Sequence, residues 1–277
     1  MNSEKVSSLL DSWLDEDSAL QDITTQVIDS KKDAEFIVTG GPGILSGSVI
    51  TNHLLSKTGL LCKFLKSDGD IISKNDTIAL ISGDFNLILS RERLFLNLLS
   101  HLSGISTLTR QLVDLVISIN PNTTVLATRK TTPGLRFLEK EAVIHGGGAP
   151  HRFDLNEAIL VKDNHLNFID NIETYVQNAK HNYPDKKIEI EADNIDQALT
   201  FSRLPIDRLM LDNFTPEEAK TTYLKIKKEN PSLEIEISGG LNKDNILDYA
   251  NYADFLSLSQ LTMGSIPVDF SIHVNKN

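Results

Sequence analysis

The sequence predicts an α/β protein, with a mixed α/β region of about one hundred residues at the N-terminus followed by a (β/α) barrel. Three observations carry this. From about residue 123 short apolar strands alternate with helical segments, which signals parallel βα architecture. Each of those strands closes on polar residues: Arg129 and Lys130, Lys162, Glu191, Asp212, Ser238-Gly239-Gly240, and Ser259. Polar residues gathered from many strand ends suit the active-site face of a barrel, whereas a doubly wound sheet would focus its chemistry at one switch point. Before residue 100, by contrast, short apolar runs are broken by Gly/Pro, Asp-Gly and Asn-Asp turns, which suits a small antiparallel sheet.

The elements follow in order. "VSSLLDSWLDED" has helical spacing, with Val6, Leu9, Leu10, Trp13 and Leu14 on one face. "AEFIVTGGPGILSG" reads as a strand and a Gly/Pro turn, and "LLCKFLKSDGDIISKNDTIALISG" as further short strands. In "SRERLFLNLLSHLSGISTLTRQLVDLVISI" apolar residues recur at helical spacing, and Gly104 is read as a break between two helices. The domain boundary is placed there, giving an N-terminal domain over 1–104, a barrel over 105–264, and a 265–277 tail expected to pack on the first domain. The barrel strands are read in "TTVLATRK", "AILVKDN", "KIEIEAD", "DRLMLDN", "LEIEISGG" and "ADFLSLS".

Charge narrows the function. The chain carries 27 Lys and Arg against 38 Asp and Glu, a net charge of −11, which argues against a nucleic-acid binder needing a broad cationic face. No apolar run approaches the roughly 18 to 20 residues that span a bilayer, and the acidic N-terminus lacks a signal-peptide core, so the cytoplasm is the expected compartment. Cys62 is the sole cysteine and is read as structural.

Within this acidic chain, "ATRKTTPGLRFLEKEAVIHGGGAPHRFDLNEAILVKDNH" gathers Arg129, Lys130, Arg136, Lys140, Arg152 and Lys162 around a triple glycine. A local cationic pocket in an acidic shell suits a small, multiply anionic substrate. Arginine's planar fork grips carboxylate or phosphate bidentately, and lysine adds a point charge. Arg129, Lys130 and Lys162 end strands and are read as ligand-facing, Arg91 and Arg136 as helix-surface ion pairs. His151 and Arg152 follow the glycine run, where the histidine could serve a site or a core. Glu189 and Glu191 share one strand face, and Glu191 with Asp212 could stabilise a positive transition state, hold Mg²⁺, or simply pair with Lys162 or Arg129. Ser238, Gly239 and Gly240 form a turn whose backbone N–H groups could cradle phosphate.

"TRKTTPGLR-x-x-EK-x-AV" with "GGG-x-x-HR" and "KDNH" strongly resembles the quinolinate phosphoribosyltransferase family. "DITT" at 22–25, "ER" and "LN" at 92–97, "LSGIST" at 102–107, "EIE" at 189–191, "LDN" at 211–213 and "SGGL" at 238–241 extend the likeness along the chain. The resemblance implies an N-terminal α/β sandwich, an incomplete seven-stranded α/β barrel, and a homodimer or hexamer with its site at a subunit interface. It implies transfer of phosphoribosyl from phosphoribosyl pyrophosphate to quinolinate, with loss of pyrophosphate and CO₂, giving nicotinate mononucleotide for NAD synthesis. In that reading Arg129, His151, Arg152 and Lys162 line the quinolinate pocket, and Arg93 reaches into the partner's site. Lys130 grips phosphate or pyrophosphate, Glu191 and Asp212 lie near the ribose and Mg²⁺, and Ser238, Gly239, Gly240 and Ser259 belong to the phosphate end. Lys130, Lys162, Glu191 and Asp212 are the expected catalytic groups. The sequence departs from the family pattern at Ala127, Gln21, Ser259 and Met263, the last two standing for a usual glycine and histidine. A paralogous phosphoribosyltransferase acting on another small anionic ring, as in molybdate-transport operons, is the alternative. A Schiff-base lyase using Lys162 and a catalytically silent paralogue are the readings from other classes.

Overall fold

The structure is a computed structural model describing residues 3–28 and 32–276. In chain order its elements are α1 (Ser3–Glu16), α2 (Ile23–Gln26), β1 (Asp33–Gly40), β2 (Gly43–Ile44), α3 (Ser48–Lys57), β3 (Leu61–Phe64), β4 (Ile71–Ile72), β5 (Asp76–Asp84) and α4 (Phe85–Ile119). There follow β6 (Thr124–Ala127), α5 (Arg136–His145), β7 (Ala149–Pro150), β8 (Ile159–Val161), α6 (Asp163–Leu166), α7 (Ile172–Asn182), β9 (Ile188–Ala192) and α8 (Ile195–Phe201). The chain closes with β10 (Arg208–Asp212), α9 (Pro216–Glu229), β11 (Glu234–Ser238), α10 (Ile246–Tyr249), β12 (Phe255–Leu258), α11 (Gln260–Met263) and β13 (Phe270–Val274).

Two compact units result. The first holds the chain up to Leu108, Phe137–Gly147, and everything from Ser265 on. Its sheet has the order β13-β1-β5-β3, antiparallel throughout, with β13 adding a C-terminal strand to β1. β1 alternates in burial, hiding Phe36 and Val38 while Glu35 and Ile37 face outward, the pattern of a sheet with one covered face.

Helix α4 corrects the reading of Gly104, because it runs unbroken from Phe85 to Ile119. Its buried residues Ile88, Phe95, Leu99, Leu102, Ile105, Leu112 and Val116 step by three, four or seven, so one apolar stripe passes Gly104 without a phase shift. The glycine serves close approach instead: a Cβ there would stand 2.4 Å from the Ile266 carbonyl oxygen. Arg91 on the same helix is also corrected. It is 3% exposed, its Nη1 donates to Ser90 Oγ and the Leu87 carbonyl, and it forms no surface ion pair among the described residues.

The second unit, Thr109–Arg136 and Gly148–Gly264, is a seven-stranded sheet ordered β7-β6-β12-β11-β10-β9-β8. Every pairing in it is parallel, and β7 and β8 are its two edges, so it is a curled, incomplete barrel. The strand β7, in a stretch that reads only as a loop in the sequence, completes the seven. All five residues of β9 are buried, as expected for a parallel strand covered on both faces: Ile188 and Ile190 alternate with Glu189 and Glu191. Helix starts are set locally: Thr215 and Glu218 form a capping box with Pro216 in the first turn of α9, and Asn171 and Asn194 cap α7 and α8. These caps fix where each barrel strand hands over to its helix, and so where the strand-end side chains lie.

Candidate active site

The C-terminal ends of the barrel strands surround a cavity of about 340 Å³. Thr128, Arg129 and Lys130 enter from the segment after β6, His151 and Arg152 from that after β7, and Leu160 and Lys162 from β8 and its edge. Met210 and Asp212 come from β10, Glu236 and Ser238 from β11, and Ser257 from β12. Arg129, Lys130, His151, Arg152, Lys162, Asp212 and Ser238 are therefore brought together as the sequence suggested. Glu191 stands just behind them, its Oε2 accepting from Lys162 Nζ at 2.6 Å. Gly239 and Gly240 follow Ser238 outside the lining, in the left-handed region at φ 90° and 63°. A Cβ on Gly239 would meet Asn213 Oδ1 at 2.3 Å, so that turn accepts only glycine without rearrangement. The helix beyond it, α10, has only four residues.

Arg93, on α4, does not line the cavity, and its nearest carboxylate is Glu92 at 3.9 Å. Neither do Ser259 and Met263; Ser259 is the residue before α11, and Met263 is 63% exposed. Arg136 is corrected as well. It makes no ion pair among the described residues; its guanidinium donates to Thr131 Oγ1 at 3.1 Å and the Phe153 carbonyl at 3.2 Å, tying together the segments after β6 and β7.

Sequence reasoning missed Leu160, Met210, Glu236 and Ser257, although a signal existed. Each lies two residues before a strand-end residue that the sequence does single out: Lys162, Asp212, Ser238 and Ser259. Two-residue alternation puts such pairs on one face of a strand, one layer deeper in the barrel.

Like charges crowd the cavity in two places. Burial lowers the pKa of Arg152, and the neighbouring Arg129 charge lowers it further, with Glu189 and Asp154 opposing. Arg129 Nε is buried without a hydrogen-bond partner among the described residues. On the other side, Glu191, Asp193 and Asp212 bring carboxylate oxygens within 4.8 Å of one another. Burial raises the Glu191 pKa against the pull of Lys162, and burial with Asp163 and Asp212 raises that of Asp193. The first cluster suits an anion, and the second could hold a hard cation.

Beneath them lies a buried polar cluster. His151 Nε2 faces Glu189 Oε2 at 2.9 Å and Glu236 Oε2 at 3.3 Å, and Arg208 Nη1 donates to Glu236 Oε2 at 2.9 Å. Burial opposes a charge on His151, yet the hydrogen bonds to the two carboxylates outweigh it and lift its pKa to about 9. Burial and the Glu236 charge raise the Glu189 pKa; His151 and Arg208 overcome burial at Glu236 and lower its own. The Arg152 N–H donates to His151 Nδ1 at 2.7 Å, which places the imidazole proton on Nε2. Glu236 thus stands ionised against Arg208, and the further proton that His151 and Glu189 take up as a pair rests on Glu189, whose own pKa burial raises, so that Nδ1 still accepts.

Comparison with known proteins gives the family. The family description "Quinolinate phosphoribosyl transferase, N-terminal domain" matches residues 22–103, and its C-terminal counterpart matches residues 105–273. A probable nicotinate-nucleotide pyrophosphorylase (carboxylating) of Methanocaldococcus jannaschii is 38% identical over 275 residues, covering 96% of this chain and 96% of that protein. The human nicotinate-nucleotide pyrophosphorylase (carboxylating) is 30% identical over 269 residues, covering 96% of this chain and 91% of its own. The structure of the nicotinate-nucleotide pyrophosphorylase from Francisella tularensis superposes with a TM-score of 0.92 at 31% identity, over 99% of this chain and 98% of that one. The chain belongs to the quinolinate phosphoribosyl transferase family.

Proposed function

We propose that this protein is a quinolinate phosphoribosyltransferase. It joins the pyridine nitrogen of quinolinate to C1 of the ribose of phosphoribosyl pyrophosphate, releases pyrophosphate and CO₂, and yields nicotinate mononucleotide for NAD synthesis. The observation that carries the reading is the Arg129–Arg152 pair: two guanidinium groups repelling one another in a strand-end cavity, with Arg129 Nε buried and without a hydrogen-bond partner among the described residues. A ring bearing two carboxylates relieves both.

The chemistry follows from the side chains. Arg129, Arg152 and His151 hold the ring so that its nitrogen lies in line with the anomeric carbon, which removes much of the entropic cost of reaction. Lys130, which forms no ion pair among the described residues, is free to take the pyrophosphate. As the C1–O bond to pyrophosphate breaks, positive charge builds on the ribose, and Glu191 and Asp212 stabilise it. Lys162, held by Glu191 at 2.6 Å, directs its ammonium toward a ring carboxylate. Once the nitrogen is alkylated, the carbon beside it loses CO₂, the bonding pair stays on that carbon next to the cationic nitrogen, and a proton replaces the carboxylate. Ser238, Gly239 and Gly240 receive the 5-phosphate.

Glu191, Asp193 and Asp212 would hold Mg²⁺ carried by phosphoribosyl pyrophosphate; all three are hard oxygen donors already crowded together. The ion would neutralise pyrophosphate as it leaves. Arg93 has an exposed side chain whose nearest carboxylate stands 3.9 Å away, which suits a residue contributed to the site of a second copy in a homodimer or hexamer. No helix among the described residues is long and apolar enough to cross a membrane; the cytoplasm is the compartment that fits the substrates.

Lys130→Ala and Arg152→Ala test the pocket. Each removes a charge-assisted contact worth about 1.5 to 3 kcal/mol, so kcat/KM should fall by roughly 10- to 150-fold or more while the thermal midpoint stays put. Full turnover in either variant would refute the assignment.

A further inference from the structure

We propose that Arg208 and Glu236 are positioning residues that set Arg152 for the ring carboxylate. The inference rests on the reading of Arg152 as a carboxylate-binding group. It reaches to Arg208, which sits at the opposite end of β10 from Asp212 and does not line the substrate cavity.

The path is short and largely buried. Arg208 donates from Nε and Nη2 to Glu234 Oε2 at 3.1 and 3.0 Å, and from Nη1 to Glu236 Oε2 at 2.9 Å. Its guanidinium also lies 3.8 Å over the centre of the Phe255 ring, so three hydrogen bonds and a cation–π contact fix it in one orientation. Glu236 is fully buried, and with Glu189 it holds His151 Nε2. The far side of that imidazole, Nδ1, accepts the Arg152 N–H at 2.7 Å, while Arg152 Nη1 donates to the Ala158 carbonyl at 3.0 Å. The backbone and the head of Arg152 are thus pinned separately, the first through a chain that ends at Arg208.

Neither a metal site nor stability alone accounts for the cluster as well. His151, Glu189 and Glu236 bring possible metal donors within 4.8 Å. However, Nδ1 accepts a backbone N–H, so ligation at Nε2 would have to strip the ring's only proton and leave an imidazolate, and Arg208 already occupies Glu236 Oε2. As for stability, a buried ion pair gains little over apolar residues of the same volume, because desolvation offsets its attraction. A fixed geometry at Arg152 is what an apolar replacement could not supply.

The test compares steady-state kinetics of wild type, Arg208→Met, Arg208→Lys and Glu236→Gln with both substrates, alongside thermal unfolding. In Arg208→Met the KM for quinolinate should rise about tenfold, the KM for phosphoribosyl pyrophosphate should stay within about twofold, and Arg208→Lys should recover part of the loss. Should Arg208→Met fail to fold, the near-isosteric Glu236→Gln takes the same readout with the same expectation. An unchanged quinolinate KM, or both KM values rising together, would overturn the positioning role. A wild type that does not turn over quinolinate would instead overturn the functional reading beneath it.

Discussion

Arg129 and Arg152 share a cavity in which burial and their mutual repulsion lower the Arg152 pKa, and that repulsion is the chemical content of the site. The lone thiol shows the opposite case. Burial pushes the Cys62 pKa up to about 12, so the nucleophilic thiolate is scarce at neutral pH. The folded protein should therefore resist alkylation by iodoacetamide at pH 8 and label readily once unfolded; fast labelling of the native chain would contradict the burial argument. The cations at strand ends were legible in the sequence because strand termini and charge are both visible there. Glu236 and Ser257 were not, since a polar residue inside an apolar run looks like a flaw in the strand until its two-residue partner is seen to face a cavity. Asp193 escapes a sequence reading for another reason: it lies just beyond β9, and only the fold brings it beside Asp212.

Among the elements, α4 teaches most. Its stripe of buried residues is readable, but a glycine in mid-helix reads as a break because sequence alone cannot show what another segment places against it. Gly104→Ala separates the two meanings. Helix propensity favours alanine by about 1 kcal/mol. The added Cβ would lie 2.4 Å from the Ile266 carbonyl, and such overpacking costs typically about 1 to 3 kcal/mol. The substitution should thus lower the thermal midpoint, and a raised midpoint would show that Ile266 gives way freely. The barrel strands are visible as apolar runs, save β7, whose two residues are too short to carry any periodicity.

At the scale of the whole molecule, an acidic chain encloses a small basic site, and stability and turnover should respond to pH separately. The proton that His151 and Glu189 take up as a pair is bound more tightly in the folded chain than in the unfolded one. The His151 pKa stands at about 9, against roughly 6.5 for an unperturbed histidine. Its contribution is therefore complete below about pH 6.5 and lost as pH rises through about 9. The thermal midpoint should fall between those values, and His151→Gln should flatten the fall; an equal slope in both proteins would place the titration elsewhere. The assembly carries its own prediction: mixing Arg93→Ala chains with chains lacking Lys162 should restore activity through hybrid sites, and no restoration would count against a shared interface.

The most direct measurement of all follows pyrophosphate and CO₂ together from the purified protein, given Mg²⁺, phosphoribosyl pyrophosphate and either quinolinate or nicotinate. A dianionic ring held by Arg129 and Arg152 predicts one CO₂ for each pyrophosphate with quinolinate, and neither product with nicotinate. Pyrophosphate released with nicotinate, or none with quinolinate, would contradict the account.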